Sequence, residues 1–337
     1  MRHHPFRTAP IRAGLAVVVA AGLILSGCGG NDKDEAKGSA DTSSSTAPDQ
    51  VKGSVASYDL AVGPPSRFMF GMYNEAKGAI GYGTAQFSFF FLGTDRKACS
   101  GTTREPGPTA TARYVHLDGQ TAHAGDTSKP VYVEQKGVYA ADVAFDRAGW
   151  WGLAAVVDPG GGPQEAKSCF EVQPKHLVPA PGDPAPASQN LTMTTAGAPP
   201  EAIDSRASAQ TPVPDPELHQ TTVAQALAEK RPVVLVISTP TYCVSQFCGP
   251  VTDTVAELAK TYGNRARFIH IEVFKDYKAT KLEDRLNAAA REWIGESATE
   301  PWVFLIGADG KITARFDNVA TRADLEPLLQ KLPVMKP

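Results

Sequence analysis

The chain has 337 residues, 42% of them hydrophobic, and a formal net charge of −3. This length predicts two domains more readily than one, and the hydrophobic content is sufficient for ordinary globular cores. The charge is close to balanced and the basic residues form no stripe interleaved with aromatic ones. Nucleic acid is therefore excluded as an expected partner.

Residues 1–27 have the pattern of an export signal. Three arginines precede an apolar run from Ala13 to Leu25, which is too short for a membrane-spanning helix. The run ends in Leu25-Ser26-Gly27-Cys28, which resembles the lipobox of a bacterial lipoprotein signal. The resemblance implies cleavage before Cys28, acylation of that cysteine and anchoring on the extracytoplasmic face of the cell membrane. An ordinary signal peptide with an incidental cysteine is the alternative.

The next three segments differ in composition. Residues 28–54 are rich in Ser, Thr, Asp, Lys and Gly, which predicts a flexible tether. Residues 55–173 alternate short apolar runs with turn residues, which predicts an antiparallel β-sandwich. Within it, Gly137 to Trp150 resembles the immunoglobulin-like modules of some bacterial copper-handling and cytochrome oxidase assembly proteins, and we expect an interaction module. Residues 174–217 are rich in proline and predict a semi-stiff linker.

Residues 218–337 alternate helix and strand patterns in the order αβαβαββα, which predicts a mixed sheet with helices on both sides. One of the helices is expected over residues 280–293. Phe247-Cys248-Gly249-Pro250 stands at the head of the longest helix, and Glu300-Pro301-Trp302-Val303 opens a hairpin. With these motifs the segment resembles a thioredoxin domain. The predicted fold class is therefore an α/β thioredoxin-like fold at the C-terminus plus an all-β sandwich at the N-terminus.

The resemblance implies a role for each residue of the two motifs. Cys248 takes the position of the family's nucleophile, and Pro301 that of its cis-proline, which faces the cysteines and receives the substrate. Glu300, Gly249 and Pro250 are accordingly expected to contact substrate. The sequence departs from the family in two ways: its second cysteine would fall at position 251, a valine, and positions 232–248 hold no acidic residue. Cys243, five positions upstream of Cys248, is the candidate resolving cysteine.

The cysteines are expected to form two disulfides. If Cys28 carries lipid, four cysteines remain, and an extracytoplasmic compartment favours their oxidation. The predicted domain boundaries pair Cys99 with Cys169 and Cys243 with Cys248. In the chain-entropy model, closing a loop of roughly seventy residues stabilises by about 4 kcal/mol, and closing a six-residue loop by about 2 kcal/mol. Cys99–Cys169 is therefore predicted to be structural and Cys243–Cys248 to be redox-active.

The predicted function is that of a lipid-anchored thiol–disulfide oxidoreductase, which acts on thiols or disulfides of extracytoplasmic proteins and needs no cofactor or metal. The alternative is a non-enzymatic thioredoxin-fold binding module or copper chaperone, in which Cys243–Cys248 is structural. Peroxidase chemistry is disfavoured, because some peroxiredoxins share this cysteine spacing but place a threonine three residues before the peroxidatic cysteine, and this chain does not.

Copper handling would draw on the soft and borderline ligands of the β-rich segment, Met69, Met72, His116 and His123. Met69 and Met72 are expected to point to opposite faces of their strand and to pack in cores. Two further histidines are interpreted without a functional role: His270 as a core residue in the middle of a strand, and His219 as a solvated surface residue.

Overall fold

The computed structural model describes residues 50–121 and 123–335. The predicted signal peptide, Cys28 and most of the predicted tether lie outside the described residues. Between residues 51 and 172, nine strands form one antiparallel sheet: β1 (Val51–Val55), β2 (Ser66–Asn74), β3 (Gly78–Gly81), β4 (Thr84–Gly93), β5 (Glu105–His116), β6 (Val131–Val133), β7 (Gly137–Val143), β8 (Gly149–Val157) and β9 (Gln164–Val172). The hydrogen-bonded order is β6-β3-β2-β7-β5-β4-β8-β9, and β1 also pairs with β2.

This sheet curls around an aromatic core. Alternate residues of β4, among them Phe87 and Phe89, are buried, as expected for a strand with one face in the core. Phe68 of β2 lies 5.0 Å from Phe170 of β9, measured between ring centroids, although four strands separate β2 from β9 in the sheet order. Contact between distant strands requires the sheet to bend back on itself.

The C-terminal residues form a smaller mixed sheet with helices on both faces. Its strands are β10 (Val233–Ser238), β11 (Arg267–Glu272), β12 (Trp302–Ile306) and β13 (Ile312–Asp317), in the order β11-β10-β12-β13. Only the β10–β11 pair is parallel. The helices are α1 (Pro200–Ile203), α2 (Val223–Ala228), α3 (Cys248–Tyr262), α4 (Leu282–Arg285), α5 (Ala288–Ile294) and α6 (Arg322–Gln330).

Successive side chains of β10 enter two different hydrophobic cores, one on each face of the small sheet. Val234 and Val236 pack with α3 and α6, whereas Leu235 and Ile237 pack with α5 on the other face. Helix α3 forms because Val251, Val255 and Leu258 recur at helical spacing on its buried face. All six residues of β10 are buried, so the loop that carries Cys243 begins at a fully packed strand.

The predicted fold class is wrong. The described residues are sheet-rich, with 34% strand against 19% helix, and the strands between residues 51 and 172 form one continuous sheet instead of the two sheets of a sandwich. The alternation of apolar and polar residues predicts strands but not which strands pair. The twelve-residue β5 pairs with both β4 and β7, and this pairing joins the strands into one sheet. The helix predicted over residues 280–293 is also wrong, since α4 and α5 are separate short helices with Asn287 as the N-cap of α5.

The two sheets meet through polar as well as apolar contacts, and the described residues belong to one compact unit. Met69, Leu117 and Val138 of the large sheet region lie in the same core as α3. Arg67 pairs with Asp324 of α6 at 3.2 Å. The segment between the sheets is partly buried too, since Ser188, Asn190 and Asp204 are buried polar residues. None of the helices in the described part of the chain has the length and apolarity needed to cross a membrane.

Candidate functional site

The loop between β10 and α3 carries a disulfide between Cys243 and Cys248. Their Cα atoms are 6.0 Å apart, within the usual range for bonded cysteines. The second predicted pair, Cys99 with Cys169, is also bonded, with a Cα separation of 5.8 Å. Both pairings predicted from the sequence are therefore confirmed as disulfides.

The two sulfurs of the loop differ in accessibility. Cys248, the first residue of α3, is 0% exposed, whereas Cys243 is only partly buried. Helix α3 begins without a side-chain cap, and the Cys248 N–H donates to Cys243 Sγ at 3.3 Å. Ser245 Oγ lies 3.3 Å from the same sulfur. The accessible sulfur at the helix N-terminus is thus Cys243, and this is the position that favours a thiolate after reduction.

The accessibility of the two sulfurs argues against the roles that the thioredoxin resemblance implied. That resemblance made Cys248 the attacking residue, but a fully buried sulfur cannot meet an incoming protein disulfide. Cys243 has both the exposure and the N–H donor, so the geometry favours Cys243 as the nucleophile and Cys248 as the resolving cysteine.

Glu300 supplies a carboxyl group beside the disulfide. One of its oxygens and the sulfurs of Cys243 and Cys248 all lie within 4.8 Å of one another. Burial, reinforced by the negative charge of Glu272, raises the pKa of Glu300 to about 8. The sequence has no acidic residue at positions 232–248, and the thioredoxin resemblance predicted a substrate-binding role for Glu300. The acid comes instead from the residue two positions before β12, the strand that is the neighbour of β10 in the sheet.

Tyr58, from the segment between β1 and β2, is a site residue that sequence reasoning missed. Its hydroxyl oxygen lies 2.8 Å from the Glu300 carbonyl oxygen and 2.9 Å from Asn318 Oδ1, either of which can accept its proton. Its backbone N–H donates to Asp317 Oδ2 at 2.5 Å. Burial raises the pKa of Tyr58, so the phenol stays protonated. Tyr58 therefore fixes the backbone of Glu300 from the large-sheet side.

A largely apolar pocket of about 390 Å³ opens beside Cys243. Tyr242 and Tyr277 stack at 4.0 Å on its wall, and Arg285 lies over the Tyr277 ring at 4.7 Å. Val244, next to Cys243, is 90% exposed. The lining comprises Tyr58, Tyr242, Val244, Ser245, Phe274, Tyr277, Arg285, Ala298, Thr299 and Glu300. Its aromatic walls suit an apolar side chain.

The other predicted substrate-binding residues are placed differently. The Glu300–Pro301 peptide is cis, and Pro301 itself is buried at the start of β12. Gly249 and Pro250 lie in the first turn of α3, where Pro250 lines a separate pocket together with Asp118 and Thr254. The structure thus brings Glu300 to the cysteines, whereas Pro250 faces another surface.

The copper ligands considered from the sequence do not converge. Met69 and Met72 are buried in two different cores, in agreement with the prediction that they point to opposite faces of their strand. His116 is exposed at the end of β5, and its Nδ1 lies 3.0 Å from the Leu117 carbonyl oxygen. His270 is buried as expected, but the expectation for His219 is wrong, because that side chain is fully buried.

Comparison with known proteins assigns neither a family nor a function to this chain. No protein-family model matches this chain, and a search of curated proteins finds no match.

Proposed function

We propose that this protein exchanges thiols and disulfides with other proteins outside the cytoplasm, and that an acylated Cys28 anchors it to the membrane. The observation that carries the proposal is the partly exposed Cys243 sulfur, bonded to the buried Cys248 at the start of α3 and within 4.8 Å of a Glu300 oxygen. Two disulfides in one chain also suit an oxidising compartment. The resemblance of its two motifs to those of thioredoxin supports the same chemistry.

The first step of the reducing direction forms a mixed disulfide. The Cys243 thiolate attacks one sulfur of the partner's disulfide, a Cys243–partner bond forms, and the partner's other sulfur leaves as a thiolate. Cys248 then loses its proton and attacks Cys243, which regenerates the Cys243–Cys248 disulfide and releases the second partner thiolate. Two electrons pass from the pair to the partner; the reverse sequence oxidises a partner dithiol.

Glu300 donates and accepts the protons that the two exchange steps require. With a pKa near 8 it is mostly a carboxylic acid at neutral pH and can protonate the first departing thiolate. As a carboxylate it then accepts the proton of Cys248, which activates the buried thiol. Returned to the acid form, it protonates the second departing thiolate and regains one proton from solvent.

The pocket beside Cys243 indicates the kind of partner. Its aromatic walls and the exposed Val244 would contact an apolar side chain next to the partner's cysteine. Such side chains are accessible in extended or incompletely folded proteins. We therefore expect exchange to be faster with peptides that carry an apolar residue beside the cysteine than with peptides that carry a charged one.

The reduction potential of the Cys243–Cys248 pair tests the proposal. The full-length protein is equilibrated in thiol redox buffers, alkylated and analysed by mass spectrometry, with Cys99–Cys169 in the same sample as the internal control. A potential above about −250 mV for Cys243–Cys248 places it among exchange-competent pairs, whereas one below about −300 mV marks a structural bridge and contradicts the proposal.

A second candidate function is metal capture by the reduced pair. Cys243, Cys248 and Glu300 together offer two thiolates and a carboxylate within 4.8 Å, and thiolates select Cu(I). Titration of Cu(I) into reduced and disulfide-bonded protein distinguishes the two functions. Tight binding by the reduced form, combined with slow exchange with peptide disulfides, would favour a copper chaperone.

A further inference from the structure

A buried cluster of two histidines and an aspartate lies beside β11, an edge strand of the small sheet. Asp204 follows α1, His219 follows a 3₁₀ helix (Pro216–Leu218), and His270 is in β11. The three side chains are 0% exposed. Asp204 Oδ2 lies 3.5 Å from His219 Nε2 and 3.3 Å from His270 Nδ1. The exchange chemistry proposed above uses none of these groups.

A chain of hydroxyl groups defines the tautomer of His270. Thr252 Oγ1 donates its proton to the Cys248 carbonyl oxygen at 2.8 Å, so it can only accept from Ser238 Oγ, which is 2.7 Å away. Ser238 has then used its own proton and must accept from His270 Nε2 at 3.0 Å. The Ser238 carbonyl oxygen, 3.2 Å from Nε2, is a second acceptor. Nε2 therefore carries a hydrogen, and Nδ1 is the nitrogen that faces Asp204.

The nitrogens that face Asp204 lie close to its carboxylate but form no regular hydrogen bond with it. Among the described residues, no group forms a hydrogen bond with His270 Nδ1 or with either ring nitrogen of His219. A buried polar group that forms no hydrogen bond destabilises the folded chain, because it has lost the hydration that it has in the unfolded chain. Moreover, the lone pair of a neutral Nδ1 repels a carboxylate oxygen at 3.3 Å unless a positive charge lies between them.

The spacing of the donor atoms suits a metal ion. Ligands about 2.0–2.1 Å from a tetrahedral zinc ion lie about 3.4 Å from one another. The separations of 3.3 and 3.5 Å around Asp204 Oδ2 agree with this value. The donation from His270 Nε2 to a backbone carbonyl oxygen is also the outer contact that typically orients a metal-binding histidine.

The local charge favours a divalent cation. Arg206 contacts both oxygens of Asp204, with Nε 3.0 Å from Oδ1 and Nη2 2.8 Å from Oδ2. The same guanidinium pairs with Asp215 at 2.9 Å and Asp253 at 3.2 Å. One cation therefore pairs with three carboxylates, which leaves two negative charges among these four groups. A divalent ion bound to neutral histidines neutralises them.

We propose that Asp204, His219 and His270 bind a divalent metal ion of the zinc class. The three ligands come from separate parts of the chain, so the ion ties the segment after α1 to β11. That segment also contacts the loop between β10 and α3, which carries Cys243. Ser205 Oγ accepts from the Thr241 N–H at 3.1 Å, and Ser205 O accepts from Thr241 Oγ1 at 2.8 Å. The site stabilises the base of the loop and is independent of the two cysteines.

Metal content tests the site. The full-length protein, with both disulfides intact, is unfolded in denaturant, refolded with Zn²⁺ or Co²⁺, dialysed and analysed by mass spectrometry. We expect about one equivalent per chain, and affinity reduced by at least about 100-fold in His219→Gln and His270→Gln. His123→Gln, which changes a histidine of the large-sheet region, is the matched control and retains the metal. Absence of bound metal in the wild-type protein, or its retention in both site variants, overturns the proposal.

Two further measurements keep the result decisive if a site variant fails to fold. Co²⁺ bound by wild-type protein should give d–d absorption bands without a thiolate charge-transfer band, and the Cys243→Ser/Cys248→Ser variant should bind it equally well. A thiolate band would instead locate the metal at the cysteines and overturn the site. In metal-free protein, nuclear magnetic resonance that shows His270 protonated on both nitrogens, with no change on adding Zn²⁺, would identify a proton in place of the ion and equally overturn it.

Discussion

The two disulfides have similar Cα separations, 5.8 and 6.0 Å, but very different surroundings. Cys99–Cys169 joins a 3₁₀ helix to β9 and borders a pocket whose described charged groups are the cations Arg104 and Lys167. Cys243–Cys248 lies at the start of a fifteen-residue helix beside Glu300. The two bridges therefore differ mainly in the groups around them, and the exchange that we propose for Cys243–Cys248 depends on its helix terminus and on the nearby carboxyl group.

Replacement of the attacking sulfur should have the largest effect. We expect Cys243→Ser to reduce the rate of peptide-disulfide reduction by at least about 1,000-fold, because no other described sulfur combines exposure with a helix N-terminus. Cys248→Ser should still form the first bond and accumulate a mixed disulfide with the partner, detected by mass spectrometry. If instead Cys243→Ser traps the partner, Cys248 is the nucleophile. The Cys99→Ser/Cys169→Ser variant is the control and should retain exchange.

Loss of Cys99–Cys169 should lower the free energy of unfolding more than loss of Cys243–Cys248, although loss of Cys243–Cys248 should have the larger effect on exchange. Cys99 and Cys169 are 70 positions apart, and Cys243 and Cys248 only five. In the chain-entropy model, removing the first bridge lowers the free energy of unfolding by about 4 kcal/mol and removing the second by about 2 kcal/mol. Denaturant titrations of the two double Ala variants measure this difference. Equal losses would mean that the short loop stabilises the native state beyond its entropy.

Glu300→Gln should change both exchange and the pH dependence of stability. Loss of the acid–base group should slow exchange by about 100-fold at neutral pH. Because burial raises the pKa of Glu300 to about 8, its folded form binds a proton that the unfolded form releases near pH 4.5. Its contribution to stability is therefore fully present below pH 4.5 and is lost as the pH rises to about 8.

Denaturant titrations between pH 4 and 9 check the second part of this prediction. The wild-type protein should lose stability across this window, and Glu300→Gln should lose less. The control is Glu283→Gln, which changes an exposed glutamate of α4. An unchanged pH profile in Glu300→Gln would show that another group accounts for the loss, such as Glu272, whose pKa burial also raises.

The sequence predicted the local parts of the site but not its assembly. The Cys243–Cys248 pair, the buried strand β10 and the apolar face of α3 follow from short-range spacing, which one sequence displays. Glu300 and Tyr58 reach the loop only through the pairing of β12 with β10 and the packing of the two sheets, separations of 52 positions or more from Cys248. Similarly, the proline-rich composition around Asp204 predicts a linker, whereas the role proposed for Asp204 depends on contacts with His219 and His270.

The smallest expected effect concerns the link between the two sheets. Tyr58→Phe removes the hydroxyl that lies 2.8 Å from the Glu300 carbonyl oxygen and should lower the free energy of unfolding by about 1 kcal/mol. Tyr262→Phe is the matched control, since its hydroxyl donates to Glu326 at 2.9 Å, far along α3 from the cysteines. If Tyr58 positions Glu300, only Tyr58→Phe should also slow exchange, by a few-fold, and Glu300→Gln should abolish the difference between Tyr and Phe at position 58. Equal exchange rates in both single variants, with the loss of stability present, would show that Tyr58 only joins the sheets, and the large sheet would then have no part in the chemistry of the loop.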